Sequence, residues 1–140
     1  MFTLKQGRTK LMWLPVTAST AITKQKLVAW SSGKLIEATS TTPSYNIAGV
    51  LKHTIASTDS DYATSRLVEV EVPVEKFVVW EADVTSGLAT SSLGNYYDLT
   101  DGGHVATTAS TYDIVQCVKY ISATKGWFIL NIGPDGHAKA

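Results

Sequence analysis

Apolar residues in this chain recur in short runs separated by turn-forming residues, and the clearest run has period two. In VEVEVPVE, residues 68–75, valines alternate with Glu69, Glu71, Pro73 and Glu75, which predicts a strand with one buried and one wet face. Pro73 cannot donate to a ladder, so an edge strand or a change of partner is expected there. Residues 77–84, FVVWEADV, predict a strand buried on both sides in its first half. Residues 27–30 and 35–38 read as two strands of a hairpin around the tight turn SSGK. TSTTPS is then a loop kinked at Pro43, and 47–55 is a strand in which Gly49 marks a bulge or a close backbone approach. Residues 96–99 lead through the glycine turn TDGGH to a strand near Val105, and 114–121 pairs with 127–132 across SATKG. Only TSGLATSSLG, residues 85–94, has the leucine spacing and final glycine of a short helix.

Eight to ten close-spaced strands with almost no helix predict an all-β fold, a compact β-barrel or sandwich with at most one short helix and an N-terminal arm. The arm is residues 1–15, because 1–10 are polar and basic with little periodicity and would be ordered only when something binds them. A single β domain covers 16–133, and 134–140 is a tail. Two segments also align: SGKLIEATSTTPSYNIAGVLKHT against GGHVATTASTYDIVQCVKYIS, with Gly33 on Gly103 and 47–52 on 114–119.

Composition supports strands over helices: 18 threonines and 13 serines accompany abundant valine and only 17% charged residues. A length of 140 residues suits one domain, or two small halves sharing a core, without a disulfide or metal staple. Twelve basic residues balance twelve acidic ones, so the phosphate neutralisation that drives nucleic-acid binding has no basic cluster to supply it. No apolar stretch approaches a membrane span. The run LMWLPV near the start imitates a secretory signal but is too short and contains Pro15.

Catalytic chemistry finds little purchase. His53, His104 and His137 lack metal-ligand spacing. Asp59 with Asp61, and Asp98 with Asp101, suit turn formation better than a calcium loop. No GxSxG elbow or phosphate-binding glycine loop occurs. Glu69, Glu71, Glu75 and Glu81 could pair for glycoside hydrolysis, though strand alternation already accounts for the first three. Cys117, in IVQCVKY, reads as a buried small hydrophobe. No enzyme and no cofactor are expected. Of four tryptophans, Trp30, Trp80 and Trp127 fall in strands and are expected in the core. Trp13 follows the basic arm and precedes a proline, as an anchor for a partner's pocket would.

The order LVAWSSGKLIEATS, YNIAGVLKHTIASTDSDYA, LVEVEVPV, FVVWEADV and LGNYYDLTDGGHV resembles the small β-rich head decoration, or capsid cement, proteins of tailed bacteriophages. The likeness spans about residues 16–132 and lies in the order of short motifs. It implies a virion protein, made in the bacterial host cytoplasm, that binds the outer surface of the capsid. There it would brace neighbouring capsomers as a homo-oligomer, a trimer favoured, with the major capsid protein as partner, no nucleic acid and no membrane. No contact residue carries over from the family. From the sequence itself, Leu4, Lys5, Arg8, Lys10 and Trp13 are the candidates to touch the capsid or a neighbouring protomer. The alternatives are a phage tail or head-completion protein and a carbohydrate-binding β-module that exposes its tryptophans.

Overall fold

Period-two alternation in 68–75 becomes a strand whose valines face inward in the computed structural model, which describes residues 1–131. In chain order the strands are β1 (Phe2–Gln6), β2 (Thr9–Pro15), β3 (Leu27–Ser31), β4 (Lys34–Glu37), β5 (Ile47–Leu51), β6 (Leu67–Pro73), β7 (Val79–Val84), β8 (Tyr96–Asp101), β9 (His104–Ala106), β10 (Val115–Ser122) and β11 (Lys125–Leu130). The protein is all-β, as its composition predicts.

Ten of these strands form two rings of five, and β1 adds to the edge of β7. In the N-terminal lobe the order is β2-β6-β5-β3-β4, and its ends meet at a parallel bridge between Val16 and Leu35. In the C-terminal barrel the order is β7-β11-β10-β8-β9, closed by parallel pairing of Asp83–Val84 with His104–Val105. Each half thus repeats one topology: first, fifth, fourth, second and third strand, closed by a parallel contact between first and third. Gly33 and Gly103 both precede the third strand, as the alignment places them. The fourth strands are one residue out of that alignment. Pairing makes Leu51 the equivalent of Cys117, since they lie opposite Val70 and Phe128, which in turn oppose Met12 and Trp80.

The halves share their packing. Trp80, Phe128, Leu99, Ile114 and Val105 fill the C-terminal barrel, and Leu27, Ala29 and Val50 from the N-terminal lobe join them. The lobe's own interior holds Val16, Val28, Leu35, Leu51, Val68 and Val70.

Several expectations are corrected. Residues 1–15 are not an arm, for β1 pairs antiparallel with β7 and β2 with β6. Phe2 is fully buried, so burial of its ring and a backbone ladder hold the segment without a partner. Pro73 does not mark an edge, because β6 lies between β2 and β5 and the proline is merely its last residue. Glu71 faces outward yet is covered, accepting from Thr9 Oγ1 at 2.9 Å and Lys52 Nζ at 3.4 Å. Phe77 is exposed before β7 begins, and 85–94 contains only a 3-10 turn at Thr90–Ser92. Ile132, His137 and the tail at 134–140 lie outside the described residues.

Candidate functional site

Strand β2 carries three consecutive exposed apolar side chains, Leu11, Met12 and Trp13. Successive strand residues alternate faces, so Leu11 and Trp13 share the outer face, beside Leu67, which sits opposite Pro15 on β6. Leu11 is 52% exposed, Trp13 61% and Leu67 59%. Monomer surfaces scatter apolar residues singly, and a contiguous group marks a contact surface.

Beside Trp13 lies a shallow cleft of about 240 Å³ lined by His53, Asp61, Arg66, Leu67 and Glu69. Its polar rim is held by the Arg66 ion pairs and by a histidine–carboxylate contact. Arg66 reaches Asp59 at 2.8 Å and also pairs with Asp61, and His53 Nε2 lies 3.2 Å from Glu69. The Asp59 carboxylate accepts the Ala56 N–H and the Arg66 guanidinium, and these hold its pKa below the ordinary aspartate value. A depressed folded-state pKa contributes stability above the unfolded value that is lost as pH falls through the folded one. Amide protection across residues 56–66, taken relative to the intrinsic exchange rate at each pH, should therefore fall below about pH 4, and Arg66→Ala should lower it at neutral pH and flatten that dependence.

The five residues singled out by sequence do not gather in one place. Leu4 packs partly buried on the C-terminal barrel, and Lys5 lies 3.7 Å from Glu81. Arg8 pairs with Glu75 through its backbone N–H and its guanidinium. Lys10 and Trp13 stand exposed on β2. Leu11, Met12 and Leu67 were not among the candidates. The signal for Leu11 and Met12 was LMWL itself, apolar on both strand faces so that one face had to remain outside.

Trp80 is in the core as expected, whereas Trp30 is partly exposed. Trp127 donates to Glu81 at 3.1 Å under the Lys119 ammonium, 4.3 Å from its ring. Cys117 is buried, which raises its thiol pKa and keeps it protonated. His104 contacts Asp101 at 3.0 Å. Burial alone would raise the Asp101 pKa, but His104 and the Gly103 N–H outweigh it and the net shift is downward. Among the described residues no three such groups converge as a metal site would require, and no helix is long and apolar enough to cross a membrane. No protein-family model matches the chain, and no curated protein matches its sequence.

Proposed function

We propose that this chain is a non-enzymatic structural protein of a phage virion that binds the outer surface of the capsid and stabilises the head. Its partner is the major capsid protein, and it acts as a homo-oligomer, a trimer favoured. The observation that carries the docking half of this reading is the exposed group Leu11, Trp13 and Leu67 on the paired strands β2 and β6 of the N-terminal lobe. A preformed apolar face on a sheet loses little conformational entropy on binding, and repetition over a capsid lattice multiplies a weak contact through effective concentration. The capsid half rests on the order of motifs along the sequence.

The test is to mix purified protein with heads of the cognate phage that lack it, then measure co-sedimentation and heat stability of the heads. Binding is expected, with Trp13→Ala weakening it roughly 30-fold, the equivalent of about 2 kcal/mol at a buried aromatic anchor. No co-sedimentation and no gain in head stability would overturn the reading. A solution mass of a hexamer or larger ring would favour the tail or head-completion alternative.

Sugar binding is the second reading, favoured by Trp13 standing over a small cleft with fixed carboxylate and guanidinium groups. Aromatic faces stack on sugar rings while such groups bond hydroxyls. Unchanged tryptophan fluorescence across a glycan panel would remove it.

A further inference from the structure

We propose that the outer edge of β2 is an open strand-binding slot, which takes an extended segment of a partner protein with apolar side chains at its centre and carboxylates toward its ends. The inference rests on the reading of this chain as a docking module and names how it docks.

The template is inside the molecule. In the C-terminal barrel the first strand of the ring, β7, has its outer edge covered by an added strand, β1, with Phe2 opposite Ala82 and Leu4 opposite Trp80. The equivalent strand of the N-terminal lobe is β2. Val16 matches Val84, since each makes the parallel closing contact, and counting back along both strands sets Leu14 on Ala82 and Met12 on Trp80. Their fifth-strand partners agree, Val70 opposite Met12 and Phe128 opposite Trp80. Among the described residues nothing pairs with β2 on the side where β1 pairs with β7.

Burial follows that difference. Trp80 is 0% exposed, whereas Met12, on the same inward-facing position, is 37% exposed. The adjoining turn is touched in the same way: the ammonium of Met1, which leads into β1, donates to the Gly103 carbonyl at 2.6 Å, whereas Gly33 of the N-terminal lobe is exposed. A strand laid along β2 would satisfy the open backbone groups by β-augmentation and cover Met12 with its inward side chains.

Charge selects the occupant. Lys10 on β2 and Lys34 at the start of β4 are exposed, and neither forms an ion pair among the described residues. Two copies joined through this edge would bring like charges together, whereas carboxylates on a partner strand would neutralise them.

The experiment presents the immobilised full chain to a displayed library of random nonapeptides at low salt, then maps amide exchange with the tightest peptide. Enriched peptides are expected to carry apolar residues at the centre and acidic residues toward the ends, lack proline and slow exchange at residues 11–14. Met12→Glu should abolish capture, and Lys10→Glu, an exposed charge reversal that leaves packing intact, should weaken it about tenfold. Three results would overturn the slot: no enrichment, leaving Lys10 as a guard against edge pairing; protection at another strand; or protection at 11–14 that appears without peptide as concentration rises and mass doubles, which would make the occupant a second copy. Peptide capture with no binding to heads would remove only the capsid reading. Head binding that survives both substitutions would remove only the slot.

Discussion

Gly49→Ala is expected to destabilise the fold by about 3 kcal/mol, combining the cost of overpacking with a lost ladder hydrogen bond. A Cβ at that position would lie 2.4 Å from the Glu71 carbonyl oxygen and 2.9 Å from Val70 Cγ1. The nearer atom is backbone of the adjacent strand and cannot swing aside. β5 would have to move off β6, where only Val50 with Glu71 and Leu51 with Val70 are in register, and both Leu51 and Val70 are fully buried. The β3–β5 register already shifts between Val28 and Ala29 beside this glycine. Gly33→Ala is the control. Gly33 has a φ of +79° but nothing within 4 Å of where a methyl group would stand, so only the left-handed backbone penalty applies, about 1 kcal/mol. Thermal unfolding should register roughly 10 °C for the first and a few degrees for the second. Equal losses would show that backbone conformation, not the approach of β6, is what requires Gly49.

Gly49 also shows how much of the fold was legible. A glycine amid IAGVLKH, between strong strand formers, has no use except geometry, and the alternating valines and the SSGK and TDGGH turns each report a local constraint. The two-ring arrangement depends on partners far apart in sequence. β1 belongs to the C-terminal barrel because Phe2 and Leu4 pair with Ala82 and Trp80, a fact no local pattern carries. The alternation of Phe2 and Leu4 was present, but Lys5, Arg8, Thr9 and Lys10 made the segment look like a solvated arm. The candidate site divided for the same reason. Trp13 is exposed as an anchor would be, while Leu4 and Lys5 were grouped with it by closeness in sequence and lie on the other ring. Met12 could be understood only by comparison with Trp80, since its exposure has meaning once the two strands are known to be equivalent.

Asp98→Ala is expected to cost about 3–5 kcal/mol, the scale of leaving three buried backbone donors without the carboxylate they share. Asp98 is 2% exposed. Its Oδ1 accepts the N–H groups of Tyr112 at 2.7 Å and Asp113 at 2.8 Å, and its Oδ2 accepts that of Thr111 at 3.0 Å. Three backbone donors converging on one carboxylate pin the connection from β9 to β10, and Asp113 is held there at a φ of +51°. Alanine leaves all three donors without an acceptor. Asparagine keeps the shape and the Oδ1 acceptor but turns an NH₂ toward the Thr111 N–H, so about 2 kcal/mol should be lost. Amide exchange at 111–113 should rise in both variants, and urea denaturation gives the global cost. The two substitutions also test the shared core. Asp98 belongs to the C-terminal barrel and Gly49 to the N-terminal lobe, but Leu27, Ala29 and Val50 pack with Phe128 and Trp80 across the boundary. Each change should therefore move one common unfolding transition, and the double variant should lose nearly the sum, since the sites share no partner. Two separate transitions, each moved by one substitution alone, would mean that the rings fold independently and that the shared residues contribute little to holding them together.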